Sequence, residues 1–284
     1  MRYLLADIIR RYIEMTPPHP GRGVLAKLAW KLYPEDFEHQ LPTGVRIRVR
    51  LCDVVDIGHW TGTYDTEGDV AAFLALLKDG MTVVDVGANI GIYALHAGLA
   101  VGPVGRVHAF EPVPDNYKRL LEHIALNEAS NVLAFPVALA DRNEQRRFHL
   151  GKTSDVGSLF RGNTNQTMTV PTQTLDSFIA EQGIDHVDAV KVDVEGAEIH
   201  VLRGMHGLLS RPDKPTLMFE FCAANLQAAG FTPSELFEAI IDYGYEGYVI
   251  RKGRLVSVES VIEPIRRWLG GEPLDNYIFK PIPS

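Results

Sequence analysis

The chain is poor in the features that staple small proteins or carry a chain across a bilayer. Its 284 residues include two cysteines, Cys52 and Cys222, too few for a disulfide framework or a four-ligand zinc site. A reducing, cytoplasmic setting is therefore expected. No run of 18 apolar residues occurs, so no spanning helix is expected. Positive charge is in deficit: Lys plus Arg number 28 against 36 Asp plus Glu, a net charge of -8. The basic surface of a duplex reader is missing, and no nucleic-acid partner is expected. Ten histidines show no metal-ligand spacing, and neither repeats nor low-complexity segments are present. What remains, 46% hydrophobic and 23% charged residues, has ordinary globular composition. A chain of this length can bury about three-quarters of its unfolded surface without staples.

Residues 1–43 read as a helical appendage, broken by Thr16-Pro17-Pro18-His19-Pro20, which no helix interior tolerates. Its first segment, residues 1–15, gathers Leu4, Leu5, Ile8, Ile9, Tyr12 and Ile13 on one broad face. Interrupting charges and the lack of a cleavage site argue against a secretory signal. Packing onto the protein's own core or a second copy, as a homodimer arm, is the plainer role for this face. Docking on a membrane surface with Arg10 and Arg11 is the sharper one. A second helix is expected over residues 24–33. From Gly44 to Leu51 apolar and Arg residues alternate strictly, a half-buried strand whose arginines form either a basic patch or the solvated side of a sheet edge.

The rest, residues 44–284 with a core over about 68–280, alternates helix and strand. Strands are expected at 82–86, 106–110, 132–137, 189–194 and 216–221, with short ones near 248–251 and 277–280. Helices are expected at 69–78, 92–99, 115–127, 174–181, 195–209 and 233–243. Such alternation predicts βαβ units in a mostly parallel, seven-stranded, doubly wound α/β sheet of Rossmann-like type. Ligands then bind outside the carboxyl ends of the strands, where strand order reverses.

Residues at those ends are the candidates. Asp85-Val86-Gly87-Ala88-Asn89-Ile90-Gly91 closes the first core strand and opens a helix. Gly87 and Gly91 permit a tight turn, but Asn89 stands where a dinucleotide fingerprint has its second glycine. A ligand with an amino-acid moiety and no phosphate fits better, with Asp85 available to its ammonium. Glu111, followed by Pro112, ends the next strand twenty residues after Gly91, where a carboxylate accepts hydrogen bonds from ribose hydroxyls. Asp141 follows the third strand and could reach an adenine amino group or simply cap a turn. Lys191, Asp193 and Glu195 alternate along one strand and so share a face, while Glu195 and Glu198 also suit a helix's first turn.

These segments, with Lys191-Val192-Asp193-Val194-Glu195-Gly196-Ala197-Glu198, Thr174-Leu175-Asp176, Phe219-Glu220 and Asn276-Tyr277-Ile278-Phe279, resemble the FkbM family of class I methyltransferases over about residues 60–280. The resemblance implies O-methylation of a hydroxyl on a sugar, in a glycolipid, glycan or glycosylated natural product, or on a polyketide, with S-adenosyl-L-methionine as cofactor. Asp85, Gly87, Ala88, Asn89, Gly91, Glu111, Pro112 and Asp141 would hold that cofactor, and Tyr64, in the segment 59–65, could fold over it. Asp193, Glu195 and Glu220 are candidate bases, with Lys191 orienting a carboxylate. The same three carboxylates could hold a divalent cation such as magnesium, the less favoured arrangement. His200 could line the cleft, the polar stretch 151–169 could face the acceptor, and Ile262–Leu269 with Trp268 could form a lid.

Two other classes compete. A nicotinamide-dependent oxidoreductase also has a glycine loop and a later acidic residue, but its glycine spacing differs. A non-catalytic binding protein on a degenerate methyltransferase fold would have lost some of Asp85, Gly87, Glu111, Asp193 and Glu195, and all are present.

Overall fold

The computed structural model describes residues 2–16, 21–32, 36–62, 68–151, 157–160, 165–258 and 274–283. The chain divides into two units, residues 1–66 and, in the main, 67–284.

In the first unit, α1 (Arg2–Met15) and α2 (Gly21–Leu32) pack on each other, then β1 (Phe37–Gln40), β2 (Arg46–Val49) and α3 (Val54–Thr61) follow. The alternation in β2 is used as expected: Ile47 and Val49 are buried. On the outer side, Arg48 meets Glu38 at 3.5 Å and Arg50 meets Asp36 at 3.1 Å. Both arginines thus serve the ribbon's own ion pairs. Asp53 caps α3 by accepting from the Val55 amide, satisfying one of the helix's free donors.

In the second unit, α4 (Asp69–Leu74), β3 (Thr82–Val86), α5 (Ile92–Val101), β4 (Arg106–Phe110), α6 (Pro114–Leu126) and β5 (Val132–Phe135) alternate. Next come β6 (Ala138–Leu139), β7 (Glu144–His149), β8 (Thr167–Gln173), α7 (Leu175–Gln182), β9 (Ala189–Val192), α8 (Glu198–Gly204), α9 (His206–Leu209) and β10 (Thr216–Cys222). The chain ends with α10 (Ala223–Ala228), α11 (Pro233–Ile241), β11 (Tyr245–Arg251), β12 (Arg254–Ser257) and β13 (Leu274–Pro281).

The central sheet has the order β12-β11-β13-β10-β9-β3-β4-β5. Five strands, β5 through β10 in that order, are parallel, and the other three continue it antiparallel. This is the expected Rossmann-like, doubly wound α/β fold. The sheet has eight strands among the described residues where seven are expected. The extra one, β12, returns from β11 through Lys252 and Gly253, both with positive φ, the geometry of a tight two-residue hairpin turn. Strand residues alternate between two cores. Val84, Val190, Phe219 and Phe279 join one, whereas Val83, Ala189, Met218 and Ile278 join the other. Both faces are therefore covered, and the middle strands read as near-continuous apolar runs.

Two expectations are corrected. The helix expected over 195–209 is two, α8 and α9, interrupted at Met205. The stretch 138–173 holds a separate three-stranded sheet, β6-β8-β7, whose short, polar strands gave no apolar run to read. Its small core of Phe148, Leu159 and Val170 packs with Val194 and Ala197, so this insertion supports the turn that follows β9.

Candidate functional site

Chain order runs from β3 to β4 and β5 on one side and returns to β9 and β10 on the other, so strand order reverses between β3 and β9. At that point Asp85 and Lys191 are register partners.

The turn after β3 is packed against the turn after β9. Gly87 has φ +78, and a Cβ there would lie 1.8 Å from the Asp193 carbonyl oxygen, so any side chain would force the two turns apart. The amides of Gly87 and Ala88 both donate to the Phe110 carbonyl, at 3.0 and 2.9 Å, and that of Gly91 donates to Ala88 at 2.8 Å. The Asn89 amide donates to Glu111 Oε2 at 2.9 Å, and the Val113 amide to Glu111 Oε1 at 2.8 Å. Four N–H groups of the glycine loop are thus already engaged by the protein itself. A phosphate cradle needs such groups free and convergent.

Glu111 is buried, and burial pushes its carboxyl up to about 7 against the bonds from Val113 and Asn89. It joins the β4 end to the glycine loop. Pro112 follows it into α6.

Lys191 and Asp85 are both buried. The ammonium lies 3.3 Å from Asp85 Oδ1 and 3.2 Å from Asp193 Oδ2, donates to the Gly87 carbonyl at 3.2 Å and sits 4.9 Å over the Tyr93 ring. Burial opposes its charge, but Asp193 and Asp85 outweigh that and hold its pKa above the ordinary lysine range. Burial likewise pushes Asp85 up, with Lys191 pulling the other way. The ammonium that Asp85 faces in this structure is that of Lys191. Asp193 keeps 32% of its side chain exposed.

Strand β9 ends at Val192, so alternation does not carry Glu195 to the face it was expected to share. Its backbone turns left-handed instead, at φ 55, a costly conformation for a non-glycine residue that tends to mark functional turns. Glu195 accepts from the Asn225 side chain of α10. The result is still convergence: Asp193, Glu195 and Glu220 offer carboxylate oxygens within 4.8 Å of one another. Glu220 is raised well above the ordinary range by loss of water and by repulsion from Asp193, Glu195 and Glu198. Glu198 is buried at the start of α8, accepts from the Gly196 amide at 3.0 Å and is pushed up to about 7 by burial. It braces the turn, as its place in a first helical turn suggests.

Asp141 lies 2.8 Å from Arg146 Nη2 and 3.1 Å from His200 Nδ1. Despite burial, these partners hold it below the ordinary range. His200 in turn stacks on Phe160 with ring centroids 4.8 Å apart and meets Phe231 edge-on. Tyr64, the segment 262–269 and much of 151–169 lie outside the described residues. Asn225 and Tyr93 escaped sequence reading. An asparagine in a short helix and a tyrosine in an apolar one carry no pattern, and only the fold brings them to Glu195 and Lys191.

Parts of this chain are similar to known proteins. Hexuronic acid methyltransferase AglP of Haloferax volcanii is 31% identical over 125 residues, 44% of this chain and 50% of its own length. The 2-O-methyltransferase NoeI of Sinorhizobium fredii is 28% identical over 146 residues, 45% of this chain and 59% of its own. The 31-O-demethyl-FK506 methyltransferase FkbM of Streptomyces tacrolimicus is 31% identical over 159 residues, 45% and 61%. The matched part of the chain thus spans between half and about three-fifths of these relatives. The family described as the methyltransferase FkbM domain matches residues 85–246, which is more than half of the chain and runs from Asp85 past Glu220. The chain belongs to the FkbM methyltransferase family.

Proposed function

We propose that the protein transfers a methyl group from S-adenosyl-L-methionine to a hydroxyl oxygen of a sugar or polyketide acceptor. The observation that carries this reading is the state of the glycine loop. Gly87, Ala88, Asn89 and Gly91 donate their amides to Phe110, Glu111 and Ala88, which leaves a close-packed rim for a nucleoside and no cradle for a pyrophosphate. This favours an adenosyl ligand over a nicotinamide dinucleotide. The residues fit such a ligand, because Gly87 lets the turns after β3 and β9 pack together at the switch point and Glu111 stands at the strand end where a ribose would meet it. Names of the relatives support an oxygen acceptor: one is a hexuronic acid methyltransferase, one a 2-O-methyltransferase and one acts on 31-O-demethyl-FK506.

S-adenosyl-L-methionine supplies the electrophilic methyl on its sulfonium. The protein's part is alignment and proton removal. Alignment of two reactants can contribute about 7–11 kcal/mol in favourable cases. Asp193 is the base in this reading: Lys191 holds its Oδ2, leaving Oδ1 to take the acceptor's hydroxyl proton, a contribution of roughly 10²–10⁴-fold. Glu195, fixed by Asn225, positions the acceptor, and Glu220, pushed up by burial and by Asp193, Glu195 and Glu198, holds a proton more readily than an ordinary carboxyl.

The test is thermal unfolding with S-adenosylhomocysteine and, in parallel, NAD. A ligand at a hundred times its Kd adds about 2.7 kcal/mol, which should raise the midpoint by roughly 5–10 °C. Transfer of a labelled methyl to a panel of glycan and polyketide acceptors then identifies the substrate. A shift with NAD and none with the homocysteine nucleoside would overturn the reading.

A further inference from the structure

A surface helix needs one apolar face to pack, and α1 has two. Ala6, Ile9 and Ile13 are buried and account for its packing. On an adjacent face Leu4, Leu5, Ile8, Tyr12 and Met15 recur at helical spacing and are exposed, Met15 by 84% and Leu4 by 64%. In α2, Val24 and Leu28, one turn apart, are exposed as well. These seven are half of the 14 large hydrophobic side chains exposed among the described residues, although residues 1–32 are a small part of the chain. The remainder are scattered, which is ordinary for a surface, whereas a contiguous set marks a place of contact.

Charge distinguishes the candidate partners. Residues 1–32 carry six Lys and Arg against Asp7 and Glu14, a net +4 in a chain of net -8, which leaves -12 for the rest. Exposed Arg11 and Lys31 stand beside the apolar residues of α1 and α2. A second copy would set one +4 surface against another, and a neutral apolar partner would gain nothing from it. A basic helical pair with an exposed apolar face matches an anionic lipid surface, where apolar side chains enter the headgroup boundary and cations meet the negative potential.

We infer that α1 and α2 dock the protein on anionic lipid bilayers, with Leu4, Leu5, Ile8, Tyr12 and Met15 entering the interface. This property is independent of the methyl-transfer reading and is measured without turnover. The full chain is floated with vesicles of phosphatidylcholine alone and of phosphatidylcholine with 30% phosphatidylglycerol, and its mass in solution is measured by light scattering. The expected result is flotation with the anionic vesicles, weakened by salt through screening and reduced at least tenfold in Ile8→Glu/Tyr12→Glu. Replacing Arg11 and Lys31 by Gln should cost roughly fivefold each. Leu133→Glu, at an exposed leucine of β5, should float like the parent and controls for a generic effect of added charge. Failure of the parent to float at low salt, or flotation unaffected by Ile8→Glu/Tyr12→Glu, would overturn the inference. So would a dimer that the double variant converts to monomer, because the face would then be a self-interface.

Discussion

Lys191 and Asp85 face each other as register partners on β9 and β3, both buried, with the ammonium 3.3 Å from the carboxylate. The same ammonium reaches Asp193, which is partly exposed. Breaking a buried pair by removing one member leaves an uncompensated charge and typically costs about 3–5 kcal/mol. Lys191→Met should therefore lower the unfolding midpoint by roughly 10 °C. Adding Asp85→Asn should restore part of it, because the two losses share one interaction. Additive losses in the double variant, read by thermal unfolding, would show that the two side chains do not support each other.

Asp193 separates stability from chemistry. Its side chain lies at the outer end of this chain of charges, so Asp193→Asn should keep the fold and the S-adenosylhomocysteine midpoint shift. Turnover should fall by about 10²–10⁴-fold, the range of a lost general base. Unchanged turnover would move the role of base to Glu195.

Glu111 should give the cofactor site a pH dependence. Its carboxyl is raised to about 7 in the folded protein, above its unfolded value of 4.5. Between these values the folded state keeps a proton that the unfolded state has released, so Glu111 favours the fold at low pH, and its contribution falls as pH rises from 4.5 to 7. Ligand binding runs the opposite way, since ribose hydroxyls donate to the ionised form. S-adenosylhomocysteine should bind more tightly as pH rises from 6 to 8, and Glu111→Gln should bind weakly with little dependence. Calorimetry across that range measures both, and a parent profile as flat as that of the variant would remove Glu111 from the site.

Much of this was legible in the chain. Apolar runs at 82–86 and 106–110 sit between two cores and had no other sheet position to take. Lys191 and Asp193 could be put on one face by their alternation along a strand. The rest depended on geometry that no periodicity encodes. Glu195 reaches its neighbours through a left-handed turn rather than strand alternation. Asp141 meets Arg146 and His200 because an insertion of short polar strands brings Arg146 back to it. The loop amides could be counted as engaged only once Phe110 and Glu111 were in place.

The cluster of Asp193, Glu195 and Glu220 leads to a last prediction. Carboxylates within 4.8 Å of one another cannot all be ionised without compensation, and either a cation or a proton can supply it. Lys191 already serves Asp193, and the Asn225 amide serves Glu195. Glu220 is left with repulsion from three neighbouring carboxylates and is pushed well above the ordinary range. A proton on Glu220 resolves the cluster with groups the chain itself supplies. Methyl transfer should accordingly survive exhaustive chelation with less than a twofold change, and Glu220→Gln, which mimics the protonated acid, should retain most activity where Glu220→Ala does not. Activity lost to chelation, restored by magnesium and absent in Glu220→Gln would assign the cluster to a divalent cation instead. Hard-oxygen ligands of this kind suit magnesium, so the two outcomes are cleanly separated by one titration of metal into the chelated enzyme.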